Sequence, residues 1–200
     1  MIVLGLTGSI GMGKSTAAAM LRRLRVPLFD ADLAVHRLLA PSGAAVPAVS
    51  HAFAGIEMAA GGIDRVLLGK RVFTEPAALR RLEAILHPMV AAEERRFLAR
   101  CRARREPLVV LDIPLLFETG AERRCDYVLV VSASALVQRR RVMRRPGMTE
   151  IRLNAILRKQ MPDHRKRQRA DFVVPTGAAR ALTLRRLRSI VRLLRKRGRE

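Results

Sequence analysis

The sequence predicts an open α/β fold: five buried parallel strands, helices on both faces, and a helical segment inserted between strands. Three observations carry this prediction. Five short apolar runs are continuous rather than alternating and rich in Val, Leu and Ile, which suits strands covered on both faces. Helical patterns separate the runs, and strand–helix alternation implies right-handed crossovers between parallel strands. The first run leads directly into a glycine-rich loop that opens a helix, at the sheet edge where open α/β folds bind ligands.

The strands are expected at Ile2–Thr7, Val26–Asp30, Leu108–Asp112, Tyr127–Ser132 and Asp171–Pro175. Lys14 to Arg25 carries Ala17, Ala18, Met20, Leu21 and Leu24 on an apolar stripe and reads as the first helix. About seventy-five residues separate Asp30 from Leu108, too many for one crossover. Most of them read as helix, over 32–39, 44–53, 65–72, 76–87 and 90–105, with loops rich in Pro, Gly and Ala between. That stretch is an inserted helical subdomain. A second insertion after the fourth strand is expected to hold helices at 136–145 and 150–161, split by Pro146-Gly147. The chain closes on a basic amphipathic helix over 178–196, with Leu184, Leu187, Val191 and Leu194 on one side.

Composition limits the partners. Two hundred residues make one generous domain, or one domain with an insertion. No apolar run approaches the length of a membrane span, and the N-terminus lacks the pattern of a signal peptide. Cys101 and Cys125 lack metal-ligand or redox spacing and are expected as reduced thiols of a cytoplasmic protein. The net charge is +22, and residues 138–200 hold 21 Lys and Arg against 4 Asp and Glu. Such a balance favours polyanionic partners. Nearly all of it is arginine, the signature also left by a GC-rich coding sequence.

The chemistry begins at Gly8, Gly13, Lys14 and Ser15, which match the phosphate-loop pattern G-x-x-x-x-G-K-S. Glycines let backbone N–H groups approach an anion, and the following helix points its positive end at the same spot. Lys14 adds a full charge at the β- and γ-phosphates, and the Ser15 hydroxyl can ligate Mg²⁺. The loop therefore holds a nucleoside triphosphate, with ATP expected. Asp30 and Asp32 end the second strand. A carboxylate there can take a proton from an attacking hydroxyl or order the metal's water, and either residue can equally cap the next helix. Asp112 ends the third strand as a Walker-B-type acid supporting Mg²⁺ through water, or as a plain loop cap. Arg141, Arg144 and Arg145 in "VQRRRVMRR" are expected within one helical turn, where one or two guanidinium groups can meet a transferring phosphoryl group.

At this point the chain resembles the dephospho-coenzyme A kinase family along essentially its whole length. The resemblance rests on "LTGSIGMGKST", "DAD" at 30–32, "IDR" at 63–65, "LEAILHP" at 82–88, "LDIPLLFE" at 111–118, "CDYVLVV" at 125–131, Gln138 with Arg141, Gln160 before a basic segment, and "ADFVVPTG" at 170–177. It implies a P-loop kinase with a core of about 1–31, 106–137 and 168–200. It further implies an acceptor-binding helical subdomain of about 32–105 and a lid of about 138–167. The implied reaction transfers the ATP γ-phosphate to the ribose 3′-hydroxyl of dephospho-CoA, with Mg²⁺. Asp32 is then the general base, and Lys14 and Arg141 act on the transferred group. Gly8 and Gly11, Met12, Gly13, Lys14, Ser15 and Thr16 cradle ATP. Arg141 and Arg145 belong to the lid. Arg65 and His87 line the acceptor side, with His36 a weaker candidate, and Glu118 either orients the acceptor or pairs with a lid arginine. The arginine excess at 139–141 and 165–167 is heavier than the family pattern and leaves the choice of lid arginine open.

Two other readings follow from the residues. An acidic pair after the second strand also resembles kinases of smaller acceptors such as shikimate, but the long helical insertion suits a bulkier one. The basic C-terminal third suits an ATP-dependent nucleic-acid binder. Against that, aromatics are 4% of residues with no Trp, so stacking platforms are scarce. No specific nucleic acid and no membrane are therefore expected as partners.

Overall fold

The computed structural model describes the backbone of residues 1–200 and all side chains except those of residues 73 and 74. The five expected strands form one sheet: β1 (Ile2–Thr7), β2 (Leu28–Asp30), β3 (Leu108–Asp112), β4 (Tyr127–Ser132) and β5 (Phe172–Pro175). Their order is β2-β3-β1-β4-β5, and β1 pairs in parallel with β3 and β4, as β4 does with β5. The chain leaves central β1 toward β2 and β3 on one side and toward β4 and β5 on the other. That reversal opens a crevice at the carboxyl ends of the middle strands. The register sets Leu6 opposite Asp112, so the acid ending β3 stands beside the exit of β1.

Two strands start by the same device. Asp126 accepts from Val3 N–H through its side chain at 2.7 Å, and its own N–H donates to Val3 O. Asp171 repeats this on Val128. An aspartate just ahead of each strand thus extends the ladder by one rung, and the rings of the next residues, Tyr127 and Phe172, meet in a tilted pair with centroids 5.9 Å apart.

The chain divides into two compact units, Met1–Phe29 with Arg100–Glu200, and Asp30–Ala99. The first is built on the sheet. Helix α1 (Lys14–Arg23) buries Ala17, Ala18, Met20 and Leu21, and the final helix, α9 (Arg180–Arg197), buries Leu187, Val191 and Leu194 in the same core. The apolar stripe expected at the C-terminus is therefore spent on packing, and among the described residues no helix is long and apolar enough to cross a membrane.

The second unit contains α2 (Ala31–Leu39), α3 (Val46–Ala52), α4 (Arg65–Thr74) and most of α5 (Pro76–Ala103), around Leu38, Val49, Phe53, Ile63, Leu82 and Leu86. Here the sequence misled. Pro88 suggested two helices, ending at 87 and restarting at 90, but α5 runs unbroken through it. A proline removes one helical hydrogen bond, at roughly 3 kcal/mol. Ala78, Leu82 and Leu86 before it, and Met89 and Val90 after it, pack into one cluster, which keeps both halves in line.

Between β4 and β5 lie α6 (Ala135–Met143), α7 (Glu150–Lys159) and α8 (Asp163–Gln168). Here too the structure differs from expectation. Helix α6 ends at Met143 with Arg144 as its C-cap, so Arg144 and Arg145 do not share its helical turns with Arg141. The cause is Pro146, which disfavours helical backbone at the residue before it. Helix α8 was not foreseen, because its six residues, DHRKRQ, carry no apolar stripe.

Candidate active site

The phosphate loop joins β1 to α1. Gly11 and Gly13 hold φ of 75° and 89°, backbone that residues with a Cβ rarely adopt. A Cβ on Gly11 would also come within 2.6 Å of Val142. Gly13 is the N-cap of α1 and brings no side-chain cap, which leaves the helix's first N–H groups to the loop. An anion is the natural partner for such an end. Ser15 and Thr16 lie exposed in that first turn.

Lys14 reaches across to β3, with Nζ 2.6 Å from Asp112 Oδ1. Asp112 is only 2% exposed, so the ion pair forms away from bulk water. Thr7 Oγ donates to Pro114 O at 2.8 Å and Ile113 N–H donates to Leu6 O, pinning the segment after Asp112 against β1. The cation at the start of α1 and the acid at the end of β3 thus meet at the mouth of the loop.

Other elements grip the loop from outside. Gln138 on α6 donates to Ile10 O at 2.8 Å, and Gln160, after α7, accepts from Ile10 N–H at 3.1 Å. Thr176, after β5, donates to Met12 O at 2.7 Å. The Met12 sulfur accepts from Ala133 N–H. Arg141 donates to Gly11 O at 3.3 Å, to Thr176 Oγ1 at 3.1 Å and to Thr176 O at 2.6 Å. Its guanidinium is engaged with the loop's own backbone and with the segment after β5. Arg145 lies exposed beyond the end of α6, and Arg139 pairs with Glu150 at the surface.

Glu118 pairs with a cation from the region expected as a lid, and that cation is a lysine. Its Oε1 is 2.9 Å from Lys166 Nζ and accepts from Met161 N–H at 2.7 Å. Gln138 and Gln160 stood in the quoted motifs without a role. Thr176 stood there too, and Lys166 was hidden among the arginines of a basic run. Only their partners, far away in sequence, reveal them.

In the second unit, Asp30 caps α2 by accepting from Leu33 N–H at 3.0 Å, and Asp32 is exposed in the first turn of that helix. The Asp-x-Asp spacing divides the two carboxylates between a cap and a helix surface. Arg65 opens α4 behind its cap, Asp64, and is exposed, as are His36 on α2 and His87 on α5. Among the described residues no three His, Cys, Asp or Glu side chains form a metal-binding group. The oxygen donors in the first unit are the exposed Ser15 hydroxyl and the Asp112 carboxylate, the hard ligands that Mg²⁺ takes alongside phosphate and water.

Comparison with known proteins decides the family. The family model described as dephospho-CoA kinase matches residues 2–180. The chain belongs to the dephospho-CoA kinase family. A dephospho-CoA kinase from Paramagnetospirillum magneticum is 61% identical over 98% of this chain and 92% of its own length. One from Rhodospirillum rubrum is 55% identical over 97% and 92%. Among solved structures, a Thermus thermophilus protein matches with a TM-score of 0.81 and 37% identity over 96% of each chain. A shikimate kinase from Acinetobacter baumannii, at a TM-score of 0.52 and 16% identity over 98% of this chain and 94% of its own, shares the fold alone. As a dephospho-CoA kinase family member, the chain is a kinase with ATP as co-substrate.

Proposed function

We propose that the protein transfers the γ-phosphoryl group of ATP to the ribose 3′-hydroxyl of dephospho-CoA, the final step of coenzyme A synthesis. The observation that carries this reading is the Lys14–Asp112 pair at the mouth of the loop, 2.6 Å apart. It brings the cation of the loop's G-x-x-x-x-G-K-S motif beside a carboxylate at the carboxyl end of β3. The relatives' shared name supplies the acceptor.

In this reading the N–H groups of residues 11–16 hold the phosphate oxygens, and Lys14 leaves Asp112 for the β–γ region. Ser15 and, through water, Asp112 would hold Mg²⁺, which would supply charge neutralisation for the triphosphate. The 3′-oxygen forms a bond to the γ-phosphorus as the bond to the β–γ bridging oxygen breaks. ADP keeps that electron pair, and the hydroxyl proton passes to Asp32. Asp32 suits this role better than Asp30, which spends an oxygen on the α2 cap. Arg65 and His87 bind the acceptor, and Arg145, exposed beyond α6, is free to approach the phosphates.

The test is ADP release with ATP, Mg²⁺ and dephospho-CoA, for the wild type and Asp32→Asn. Acceptor-dependent turnover is expected to fall by about 10²–10⁴ in the variant with ATP binding retained, the range for loss of a general base. Turnover indifferent to dephospho-CoA would remove the acceptor, and undiminished turnover in Asp32→Asn would move the base elsewhere.

A further inference from the structure

The side chain of Lys166 is entirely buried, the largest among the described residues to be so. A buried ammonium is costly even when paired, and an apolar side chain of similar volume would serve packing at least as well. Its partner is Glu118, in the segment after β3, at 2.9 Å. The same Glu118 oxygen accepts from Met161 N–H at 2.7 Å, and Asp163, one turn before Lys166, accepts from Ser132 Oγ at the end of β4, also at 2.7 Å. The short link between α7 and α8 is therefore tied to β3 and β4 on both sides of the phosphate loop. From that link Gln160 reaches Ile10 N–H, while Gln138 holds Ile10 O. The two peptide units that meet at Ile10 are each held by a glutamine, one on α6 and one in the link after α7.

We infer that Gln160 is a positioning residue for the phosphate loop, and that the buried Lys166–Glu118 pair holds it in place. The inference rests on the loop's being the ATP site. Free rotation of the two peptides flanking Ile10 would let neighbouring N–H groups turn away from the phosphates, and pinned peptides present them with less ordering cost at binding. The lysine is thereby assigned to nucleotide affinity, although its ammonium faces Glu118.

The experiment is calorimetric titration of the full-length protein with ATP and Mg²⁺, without acceptor. Gln160→Ala is partly exposed and should fold. It is expected to weaken ATP binding about fivefold to tenfold, the worth of one hydrogen bond, with KM for dephospho-CoA unchanged. Lys166→Met should weaken ATP binding similarly, and the double variant no further, because the lysine acts through Gln160. Met161→Pro serves the same cycle without touching Lys166: it removes the N–H that Glu118 accepts, and the extended backbone of Gln160 before it is the conformation a following proline favours. Unaltered ATP affinity in Gln160→Ala overturns the inference, as does additivity in either cycle. Failure of the wild type to bind ATP would instead overturn the loop reading, and this inference with it.

Discussion

At Lys14 a single side chain serves two states. It neutralises Asp112, which is 2% exposed, and it is the proposed cation for the β- and γ-phosphates. Lys14→Met is expected to lower kcat by about 10²–10³, the range seen when one donor to a transition-state charge is lost. It should also lower the thermal midpoint, because a buried carboxylate loses its cation. A variant inactive but as stable as the wild type would show that the Lys14 ion pair adds nothing to stability. The identity of Lys14 was plain from the G-x-x-x-x-G-K-S spacing. That of Lys166 was not, since nothing local separates it from Arg165 and Arg167, which are exposed. The cysteines also separate at this scale. Burial, with Glu106 nearby, pushes the Cys101 thiol above its usual value, so less of it is thiolate at a given pH. Cys101 should resist alkylation by iodoacetamide in the folded protein at pH 8 and react promptly in urea. Fast labelling of the folded chain, read by peptide mass, would contradict its burial.

Among the elements, α5 and α9 make opposite points about what a pattern can tell. The α9 stripe was legible because Leu187, Val191 and Leu194 repeat at helical spacing, and that spacing is what the core uses. Leu187→Ala is expected to cost about 2–5 kcal/mol of stability, measured by urea unfolding, with little change in the KM values. The continuity of α5 through Pro88 was illegible, because local backbone preference argued against it and only the shared cluster around Leu82, Leu86 and Met89 decided the matter. Pro88→Ala should restore a helical hydrogen bond and raise the urea midpoint. If the proline also orients His87, the KM for dephospho-CoA should rise while that for ATP stays put. A midpoint unchanged or lowered would mean that the helix is shaped around the proline. Helix α8 escaped notice for the reason that makes it interesting: it is held by the pairs of Asp163 and Lys166 and not by an apolar face.

For the molecule as a whole, the net charge of +22 dominates its long-range field. We expect weak, sequence-indifferent binding of oligonucleotides that falls steeply between 50 and 200 mM salt, as counterion release dictates. Tight binding that persists at high salt, read by fluorescence anisotropy, would revive the nucleic-acid reading. By itself the sequence determined the sheet, the phosphate loop and the family. Apolar runs and glycines at fixed intervals act through local backbone geometry and burial, so their meaning travels with the string of letters. The tertiary structure alone decided which glutamines clamp the loop, that Arg141 grips its backbone, and which lysine of a basic run is buried. Those roles depend on partners such as Ile10 and Gln160, 150 positions apart. A side chain's surroundings at that range are set by how the strands and helices pack, and no local pattern encodes them.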